Sequence, residues 1–468
     1  MSDYNVIVVG GGGAGHAAAI AARESGASVL IVEAGDRTGG STAMCGGVFY
    51  AANTSVQQAA GVKNDTAEAM YEYIMTLNQW HLVPGLIRRF SQESGPTLEW
   101  LLSIGVEFKP EKLYAAGVES VPRGHMAEGA GYEVFRMLEQ RAGAVGVETV
   151  LNTRVQKLLR DDQGKVIGIH ADGQDVTADA VVLTTGGFGA NNELLNEYFP
   201  SIARHGDWIF YLGGKHNKGG GLRRGGKIGP GIEGFDAGGI NPTPNFRRAA
   251  DAYLPGWLVI VGEHGRRFMD ETAPYAVYDG LINAQPGHHC FAIMDENARK
   301  AAHADAEITD PLGLGDTMAY NWVAETIAEQ AEKGVVKKGD TLEELAANAG
   351  IRADALVATM EDYNEDVALG EDRRFLKKYR PLVPVATPPF YAVELKVATV
   401  GTTGTGLRID FDAHVLNEAG RRIPGLYAAG ECTGGFYGDR YAAAGASLGQ
   451  AIIWGRIAGR TAARANQP

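Results

Sequence analysis

The sequence has little cysteine: Cys45, Cys290 and Cys432 are its three cysteines, and they lie far apart among 468 residues. None belongs to a CxxC or CxxCH pattern, so the sequence indicates neither a cysteine-rich metal site nor a covalently attached haem. Buried thiols in a reducing compartment are the simpler interpretation. We therefore expect no metal site.

The sequence also lacks a long apolar run and an excess of basic residues. No stretch approaches the roughly 18 apolar residues of a membrane-spanning helix, and strand-like sequence begins at Asn5 without the pattern of an export signal. Lysine and arginine number 43 against 56 acidic residues, a formal charge of −13. Because a phosphate-binding surface needs basic residues, nucleic-acid binding is disfavoured. A cytoplasmic protein with no membrane span is expected.

Glycine is abundant instead, at 64 residues, and it is clustered. Glycine permits tight turns and a close approach of the backbone to a ligand, so such clusters are typical of loops that hold a cofactor. No internal repeat and no long linker is present, so we expect domains that interdigitate in sequence. The clusters lie at residues 10–15, 39–47, 186–189, 219–221 and 430–445.

The first cluster lies within a predicted βαβ unit. Residues 5–9 (NVIVV) are predicted to form a buried parallel strand, residues 16–25 an alanine-rich helix, and residues 27–32 (ASVLIV) the second strand. The glycine turn GGGGAG, at residues 10–15, connects the first strand to the helix. This order is that of a dinucleotide-binding fold.

The glycines of this unit predict where a dinucleotide binds. Gly10 permits the tight turn, Gly12 lets the backbone reach a pyrophosphate at the positive helix N-terminus, and Gly15 lets helix and strand pack. Glu33, at the end of the second strand, can accept hydrogen bonds from ribose hydroxyls. The predicted cofactor contacts here are Gly10, Gly12, Gly13, Ala14, Gly15, Glu33 and Ala34.

A second glycine loop directly after the acidic residue favours FAD over NAD. GGSTAMCGG, at residues 39–47, supplies backbone amides and the hydroxyls of Ser41 and Thr42 for a second phosphate and a flavin ring. A nicotinamide enzyme does not need such a loop, and a surface loop is the alternative. The predicted contacts here are Gly40, Ser41, Thr42, Cys45, Gly46 and Gly47.

Two later strands and a helix complete the predicted cofactor site. AVVLTTGG, at residues 180–187, is predicted to be a strand ending in a glycine turn, and residues 423–431 contain a last strand before a helix at 446–462. The first amides of that helix would lie at the pyrimidine edge of the flavin and stabilise its negative charge. The further predicted contacts are Val155, Thr185, Gly186, Gly430, Glu431, Ala446, Ser447 and Leu448.

GGGGAG with Glu33, VVLTTGGFGAN, GRRFMDE at 265–271 and GLYAAGECTGG at 425–435 together resemble the flavoprotein family of fumarate reductases and succinate dehydrogenases. The resemblance covers nearly the whole chain. It implies an α/β fold in which a Rossmann-type FAD-binding domain, built from both chain ends, is interrupted by an α+β capping domain that covers the substrate.

The resemblance also implies domain boundaries: residues 1–236 and 398–468 for the FAD-binding domain and 237–397 for the cap. Within the cap we predict a strand at 256–262 and a helix at 320–333. Thr341 and Glu344 are predicted to form a capping box at the start of a further helix, at the position of the sequence where an alanine and leucine pattern begins.

Two positions depart from the fumarate reductase pattern. Tyr275 stands where that family has its proton-donating arginine, and Thr402 stands where it has a dicarboxylate-binding histidine. No histidine stands at the position that links flavin covalently in respiratory succinate dehydrogenases. We therefore predict that FAD is bound non-covalently.

What replaces these residues is similar to 3-ketosteroid dehydrogenases and related desaturases of cyclic ketones. ETAPY, ending at Tyr275, resembles their E-x-x-P-Y motif, and YAAAG, from Tyr441 to Gly445, resembles their Y-x-x-x-G stretch. The resemblance implies that Tyr275 removes the proton alpha to the carbonyl, while the Tyr441 hydroxyl and the Gly445 amide bind the carbonyl oxygen. Tyr114 is a candidate relay to Tyr275, and plain packing of buried aromatics is the alternative for these tyrosines.

Desaturation of a ketone removes a proton at the alpha carbon and a hydride at the beta carbon, which N5 of FAD accepts. The developing enolate needs an oxyanion hole. A free tyrosine titrates near 10, so Tyr275 needs activation by burial beside positive charge or by a relay. The sequence contains no second nucleotide-binding unit and no iron–sulfur ligand set, so an external electron acceptor is expected.

The sequence leaves the substrate open between a 3-ketosteroid and a small cyclic ketone or keto acid such as 4-oxocyclohexanecarboxylate. A keto acid needs an arginine, because burying an unpaired carboxylate costs several kcal/mol; Arg440, Arg123 and Arg247 are the candidates, and surface salt bridging is the alternative for Arg123. Two other functions remain open: a fumarate-reductase-like enzyme acting on a carboxylate C=C bond, and a flavin-binding protein without redox catalysis.

Overall fold

The structure is a computed structural model that describes residues 2–225, 229–246, 254–301, 321–377 and 382–465. Its helices are α1 (Gly13–Glu24), α2 (Ser55–Ala59), α3 (Ala67–Leu77), α4 (Pro84–Ser103), α5 (Ala130–Ala144), α6 (Asn192–Tyr198), α7 (Pro200–Ala203), α8 (Gly220–Gly225), α9 (Tyr275–Asn283), α10 (Glu296–Ala301), α11 (Ala324–Glu332), α12 (Leu342–Ala349), α13 (Ala353–Leu369) and α14 (Ala446–Ala462). No helix in these described ranges is long and apolar enough to cross a membrane.

Most strands are short, apart from one of 10 residues, Gln174–Leu183, and one of 14 residues, Phe390–Thr403, which belong to the two large sheets. They are β1 (Tyr4–Val9), β2 (Val29–Val32), β3 (Val48–Tyr50), β4 (Phe108–Tyr114), β5 (Gly124–Ala127), β6 (Glu148–Val150), β7 (Val155–Arg160), β8 (Val166–Ala171), β9 (Gln174–Leu183), β10 (Phe210–Tyr211), β11 (Ile232–Glu233), β12 (Gly238–Thr243), β13 (Val259–Val261), β14 (His289–Asp295), β15 (Lys337–Gly339), β16 (Phe390–Thr403), β17 (Gly406–Leu407), β18 (His414–Leu416) and β19 (Arg422–Ala428).

The chain divides into two compact units. Met1–Arg204, Gly213–Gly239 and Val400–Pro468 form the first, which we call the terminal unit; His205–Leu212 and Ile240–Thr399 form the second, the inserted unit. The boundaries therefore fall at 239/240 and 399/400, close to the predicted 236/237 and 397/398. Residues 205–212, predicted to lie in the FAD-binding domain, group with the inserted unit because β10 pairs with β16.

The terminal unit is built on an eight-stranded sheet with the order β18-β19-β9-β1-β2-β6, to which β7 and β8 attach through β9. Strand β1 lies parallel to β2 on one side and to β9 on the other, and β19 lies parallel to β9. The side chains of β1 from Val6 to Val9 are buried, as a parallel strand covered on both faces requires. The predicted βαβ unit and α/β fold are confirmed.

Helix α1 begins at Gly13, three residues before the predicted start at His16. Glycine disfavours helix, so the sequence pattern places the start too late. In the structure a tertiary contact supports the first turn, because the Gly13 amide donates to Thr42 Oγ1 at 3.2 Å.

Helix α14 has the predicted bounds and packs against α1 through small residues. A Cβ atom at Gly459 would lie 2.0 Å from the Ala18 carbonyl oxygen, and one at Gly455 would lie 2.4 Å from that of Ala14. Only glycine allows the two helix backbones to approach this closely. The last helix of the terminal unit, α14, therefore packs in close contact with its first helix, α1.

The inserted unit contains a six-stranded sheet in which β16 pairs with β10, β12, β14 and β15, and β14 pairs with β13. Its core lies between this sheet and helices α12 and α13, with Val259, Ile293, Leu345, Leu356 and Met360 fully buried or nearly so. The strand predicted at 256–262 corresponds to β13, and the helix predicted at 320–333 corresponds to α11.

The predicted capping box at α12 forms in part. Thr341 Oγ1 accepts a hydrogen bond from the Glu344 amide at 3.1 Å, as predicted. The Glu344 carboxylate accepts instead from the amide of Asp340 at 2.8 Å, one residue before the cap. Both donors lie at the helix start, so the carboxylate still supports the N-terminus.

A buried ion cluster precedes α9 in the inserted unit. We define it as Arg267, Glu271, Asp372 and Lys377, all of them nearly inaccessible to solvent. Arg267 Nη2 lies 2.7 Å from both Glu271 Oε2 and Asp372 Oδ2, and Lys377 Nζ lies 3.2 Å from Glu271 Oε2. Two cations thus face two carboxylates, and the cluster fixes the chain four residues before Tyr275.

Candidate active site

The predicted nucleotide turn lies at the carboxyl ends of β1 and β9, where open α/β sheets bind ligands. A Cβ atom at Gly10 would lie 2.4 Å from the Thr184 carbonyl oxygen, and one at Gly15 would lie 1.9 Å from that of Gly10. Both positions therefore require glycine, for the turn and for packing of α1 on the sheet.

Gly12 differs from its neighbours because the space beside it is open. A Cβ atom there would have a single neighbour within 4 Å, the Gly39 carbonyl oxygen at 3.9 Å. Gly12 is also the N-cap of α1, without a side-chain cap, and the first turn holds no acidic residue. An anion fits such a helix N-terminus, so the residues present suit a dinucleotide pyrophosphate.

Glu33 is fixed at the end of β2 by two backbone amides. Its Oε2 accepts from Gly11 and its Oε1 from Gly35, each at 2.7 Å. Each carboxylate oxygen retains acceptor capacity, so hydrogen bonds from ribose hydroxyls remain possible. Ala34 lies between Glu33 and Gly35 and shares this position.

Val155, one of the predicted cofactor contacts, is buried at the start of β7. The two residues that precede this strand bind the end of β2, because the Asn152 amide donates to Gly35 O at 2.8 Å and the Thr153 amide to Glu33 O at 2.9 Å. The structure therefore places Val155 at the same edge as Glu33.

The second glycine loop lies on the first. The Gly39 amide donates to Gly11 O at 2.9 Å, and residues Thr42–Met44 form a short 3₁₀ turn. A Cβ atom at Gly46 would meet no atom within 4 Å, and one at Gly40 would meet the Cα of Gly12 at 3.6 Å, so both face open space.

Cys45 and Gly47 hold the end of this loop against α5. A Cβ atom at Gly47 would lie 2.4 Å from Ala130 C, and the Cys45 carbonyl accepts from the Gly131 amide at 3.0 Å. The Cys45 thiol donates to Thr42 O at 3.2 Å. Burial raises the pKa of Cys45, so its thiol is neutral and suits a packing role.

The Ser41 hydroxyl has partners that the sequence did not indicate. It accepts from the Gly214 amide and from Asn217 Nδ2, each at 3.0 Å. Asn217 Nδ2 also lies 3.4 Å from Glu431 Oε2, and a Cβ atom at Gly186 would lie 2.4 Å from Asn217 Oδ1. Residues 214–217 thus join three predicted cofactor segments, and the nearby glycine cluster at 219–221 was the only signal for them.

Glu431 is held by the end of β16. Its Oε1 accepts from the Thr403 amide at 2.9 Å and from Thr403 Oγ1 at 3.0 Å. Burial raises the pKa of Glu431, and the hydrogen bonds from Thr403 oppose that shift. The adjoining Gly430 packs closely on Ala14, and Thr185 is the second residue after the end of β9, at the same edge of the sheet.

Tyr441 and Ser447 meet at the N-terminus of α14. The Tyr441 hydroxyl oxygen lies 2.9 Å from the Ser447 amide nitrogen, which donates to it, and 3.0 Å from Ser447 Oγ. The Ser447 amide was predicted to face the flavin, and in the structure it donates to Tyr441. Ala446 and Leu448 are buried on either side.

Gly445 forms the N-cap of α14 with φ +89°, a conformation that favours glycine. A Cβ atom there would lie 2.7 Å from the Val48 carbonyl oxygen, so the turn packs tightly on β3. The Gly445 amide has no hydrogen-bond acceptor within the described ranges. The amide predicted to bind a carbonyl oxygen is therefore available.

Tyr114 is brought alongside this turn. It ends β4, and the chain continues to Ala116, whose carbonyl accepts from the Ala444 amide at 2.9 Å. Gly117 forms a bridge with Ala443. The structure therefore places the segment after Tyr114 beside the Tyr441 to Gly445 stretch, both within the terminal unit.

The three candidate arginines have different surroundings. Arg123 is 2% exposed and makes a two-point contact with Asp65, with Nη2 2.7 Å from Oδ1. This contact favours a structural role. Arg440 is half-buried and its Nη1 donates to the Asp439 carbonyl at 2.7 Å, with no carboxylate partner in the part of the chain that is described. Arg247 lies outside the described residues.

Tyr275 is the first residue of α9, with Pro274 as the N-cap. Its side chain lies outside what the structure describes. The backbone of this motif is fixed by the buried ion cluster through Glu271. Thr402, at the position of the dicarboxylate-binding histidine, is buried near Gly239 in the terminal unit.

Within the described ranges no group of three or more histidine, cysteine, aspartate or glutamate residues could hold a metal ion. Apart from the candidate arginines, the predicted site residues with titratable side chains are three tyrosines, one thiol and two carboxylates. Such a set can bind hydroxyl and carbonyl groups and can transfer protons.

The family model for the FAD binding domain matches residues 5–448. The chain is 31% identical to the fumarate reductase (cytochrome) of Shewanella frigidimarina over 98% of this chain and 77% of the relative. It is 26% identical to the 4-oxocyclohexanecarboxylate 2-dehydrogenase of Sinomonas cyclohexanicum over 99% of this chain and 93% of the relative.

Among solved structures, the chain is similar to the 3-ketosteroid-Δ4-(5α)-dehydrogenase from Rhodococcus jostii RHA1 in complex with 4-androstene-3,17-dione. The TM-score is 0.80 and the identity 27%, over 99% of this chain and 98% of that chain. Each of these comparisons spans nearly the whole chain.

Proposed function

Since this chain belongs to the FAD-binding family of fumarate-reductase-like flavoproteins, we propose that it is a dehydrogenase that introduces a C=C bond alpha,beta to the carbonyl of a cyclic ketone. The family and the cofactor predicted from the sequence are confirmed. The protein is an FAD-dependent oxidoreductase that acts on carbon–carbon bonds, as its relatives are.

The residues present fit FAD. The open space at Gly12 and the α1 N-terminus suit the pyrophosphate, Glu33 suits the ribose, and the loop of residues 39–47 would hold the flavin end. Bound FAD supplies the acceptor for the electron pair that leaves the substrate as hydride. The chain's own residues must then bind the ketone, polarise its carbonyl and remove a proton.

A single observation carries the proposal: a buried tyrosine hydroxyl, that of Tyr441, stands at the N-terminus of α14 and receives the Ser447 amide. The Gly445 amide lies in the same turn. Two donors, Tyr441 O–H and Gly445 N–H, can together bind one carbonyl oxygen. The helix N-terminus stabilises the negative charge that develops there when the enolate forms.

The proton acceptor in this proposal is Tyr275. Its motif, ETAPY, begins with Glu271, which the buried ion cluster fixes, so the backbone before the tyrosine is rigidly held. Tyr275 is the first residue of α9, and the base role requires that its phenol be activated by positive charge or by a relay. Tyr114 is retained as a possible relay.

Two positions at which this chain differs from the fumarate reductase pattern distinguish the two candidate reactions. Reduction of fumarate by this family uses an arginine acid and a histidine, and this chain has Tyr275 and Thr402 at those positions. One observation favours the second candidate, a reductase of a carboxylate C=C bond: Arg440, without a carboxylate partner in the described ranges, is a cation that a substrate carboxylate can use.

Anaerobic bleaching of the flavin separates the candidates. Purified protein is mixed, without oxygen, with a neutral cyclic ketone, with 4-oxocyclohexanecarboxylate, with a 3-ketosteroid or with succinate, and the flavin absorbance is followed. We expect bleaching by a cyclic ketone and none by succinate. Bleaching by succinate alone would establish the second candidate, and no bleaching by any compound would contradict the proposed dehydrogenation.

A further inference from the structure

The stretch from Tyr441 to Gly445 pairs as a short antiparallel strand with the segment that follows β4. The Ala444 amide donates to the Ala116 carbonyl at 2.9 Å, and Gly117 forms a bridge with Ala443. In an antiparallel pair the amide and carbonyl groups of the two segments face each other at every second residue. The next position of this kind therefore lies at the residue directly after Tyr441.

At that position a side-chain hydroxyl binds a backbone group of each segment. Tyr73, on α3, accepts a hydrogen bond from the Val118 amide at 2.8 Å and donates one to the Ala442 carbonyl at 2.7 Å. An amide N–H only donates and a carbonyl only accepts, so the direction of both hydrogen bonds is fixed. Burial raises the pKa of Tyr73, so its hydroxyl keeps the proton that it donates.

Gly117 leaves the room that this hydroxyl needs. A Cβ atom at Gly117 would lie 2.3 Å from the Tyr73 oxygen and 2.7 Å from the Ala442 carbonyl oxygen. A larger residue there would displace the hydroxyl or separate the two segments. Neither Tyr73 nor Gly117 belongs to a motif of the sequence, so it is the tertiary structure that relates them to the Tyr441 stretch.

We propose that Tyr73 is a positioning residue for carbonyl binding: its hydroxyl fixes the Ala442 peptide and thereby the stretch from Tyr441 to Gly445, which supplies the donors for the ketone oxygen. This inference rests on the proposed function, in which that stretch binds the carbonyl. Ala442 is buried, so the loss of this donor to its carbonyl is costly and favours a shift of the stretch. Such a shift carries Tyr441 and the Gly445 amide away from the geometry that the enolate requires.

Glu119 is a second acceptor close to the Tyr73 hydroxyl. Its Oε2 would lie 2.4 Å from a Cβ atom at Gly117, and its Oε1 accepts from the Tyr50 hydroxyl at 2.8 Å. Burial raises the pKa of Glu119, and hydrogen bonds with Tyr73 and Tyr50 oppose that shift. The carboxylate therefore competes with the Ala442 carbonyl for the Tyr73 proton, and removing its charge weakens that competition.

The test follows anaerobic flavin reduction by a cyclic ketone over a range of ketone concentrations. Tyr73→Phe should lower the limiting rate about 10-fold or more, because a misplacement of about 1 Å can cost about 10²-fold. The half-saturating ketone concentration and the FAD content should change little, since the affected hydrogen bonds form fully only in the transition state. An unchanged limiting rate would show that Tyr73 contributes to stability alone and would overturn the inference.

Two further variants serve as controls. Tyr4→Phe removes a hydroxyl of the same unit that donates to Glu148 at the exposed surface, at 2.8 Å, and should have no effect. Glu119→Gln keeps the oxygen that accepts from Tyr50 and removes the competing charge, so it should retain at least the wild-type rate. A loss as large as that of Tyr73→Phe would show that Tyr73 acts through Glu119, and would overturn the assignment to the Ala442 carbonyl.

A measurement without substrate separates failure of the inference from failure of the proposed function. If no ketone reduces the wild-type flavin, the proposed function fails, and amide hydrogen exchange of the FAD-bound protein still tests the positioning. Tyr73→Phe should speed exchange at Val118 and Ala444 about 10-fold, since the loss of one hydrogen bond raises a local opening equilibrium by about that factor. Exchange at wild-type rates in both segments would overturn the inference, whether or not a ketone reacts.

Discussion

The Tyr441 oxygen lies in a buried turn, and burial raises the pKa of its phenol because the phenolate loses solvation there. The hydrogen bonds that the Tyr441 oxygen makes with the Ser447 amide and hydroxyl oppose that shift. The group therefore stays protonated at neutral pH, as a hydrogen-bond donor to a carbonyl must. In the proposed reaction Tyr275 needs the reverse, a phenol that ionises readily, so the proposal requires environments that separate the pKa values of the two tyrosines.

Substitution of each tyrosine by phenylalanine tests these roles. Tyr441→Phe should slow ketone-driven flavin reduction by about 10² or more, from the loss of one oxyanion donor. Tyr275→Phe should abolish it, because it removes the base. The FAD content, read from the flavin absorbance of the purified protein, should be normal in both, since neither tyrosine is among the predicted cofactor contacts. Wild-type rates in either variant would exclude that tyrosine from the mechanism.

Arg440 tests the substrate class. Arg440→Ala should weaken the reaction with 4-oxocyclohexanecarboxylate, by about 10-fold or more in kcat/KM if the guanidinium pairs with the carboxylate, and should leave a neutral cyclic ketone unaffected. Arg123→Ala is the contrasting variant. It should destabilise the protein, because it leaves Asp65 buried without its partner. Equal loss with both ketones in Arg440→Ala would refute the carboxylate contact.

Some residues of the candidate site were predictable from the sequence and others were not, and the difference lies in how distant their side-chain partners are along the chain. The glycines, Glu33 and Tyr441 belong to short motifs whose spacing is visible in the sequence. Asn217 contacts Ser41 across 176 residues of the chain, and Thr403 contacts Glu431 across 28 residues. No local sequence pattern marks either contact. The pairing of Arg123 with Asp65 likewise depends on tertiary packing.

At the scale of elements, the hydrophobic and glycine patterns predicted β1, β2 and α14 because each is buried along its length. Element ends were less predictable. Helix α1 starts early because Thr42, from another loop, supports Gly13, and the Glu344 carboxylate selects the Asp340 amide. Helix propensities do not predict such contacts, because the contacts depend on differences of a few tenths of an ångström in the tertiary structure.

The contact between α1 and α14 gives a test at this scale. Gly459→Ala would place a Cβ atom 2.0 Å from the Ala18 carbonyl oxygen, so the helices must separate, at a cost of about 1–3 kcal/mol. Gly143→Ala is the matched control, in α5, where a Cβ atom would meet nothing within 4 Å; it should stabilise by roughly 0.5–1 kcal/mol. Unfolding in guanidinium measures both, and equal effects would contradict the close packing.

At the scale of the whole molecule, the buried ion cluster of the inserted unit predicts acid sensitivity. Burial alone would raise the pKa of Asp372, but hydrogen bonds from Arg267 and from backbone amides outweigh it and hold the pKa at about 2. A carboxylate with a depressed pKa stabilises the fold above its ordinary value of about 3.9, and this contribution is lost as the pH falls from about 4 to about 2.

Unfolding in guanidinium at a series of pH values checks this expectation. Asp372→Asn should be less stable than the wild type at neutral pH, and it should lose less stability between pH 4 and pH 2, since it has no carboxylate to protonate there. Asp354→Asn is the control, because Asp354 pairs with Arg352 at the exposed surface, where ion pairs contribute little. A parallel loss in the wild type and Asp372→Asn would contradict the role of the cluster.

The cofactor gives a second test of the whole protein. We expect a yellow protein that releases its FAD on acid precipitation, because the residues around the flavin position provide hydrogen bonds and no histidine at the covalent attachment point. The supernatant flavin is quantified by absorbance against the denatured protein. Flavin that stays with the precipitated chain would show a covalent bond.

The arrangement of the terminal sheet has a consequence for biosynthesis. Strand β9 lies between β1 and β19, and β19 and α14 follow the whole inserted unit in the sequence. During translation the inserted unit leaves the ribosome while the terminal unit still lacks strands β18 and β19, its Tyr441 turn and the helix that packs on α1. Because the predicted cofactor contacts from Gly430 to Leu448 are synthesised last, we expect the flavin to be bound only after nearly the whole chain has been made.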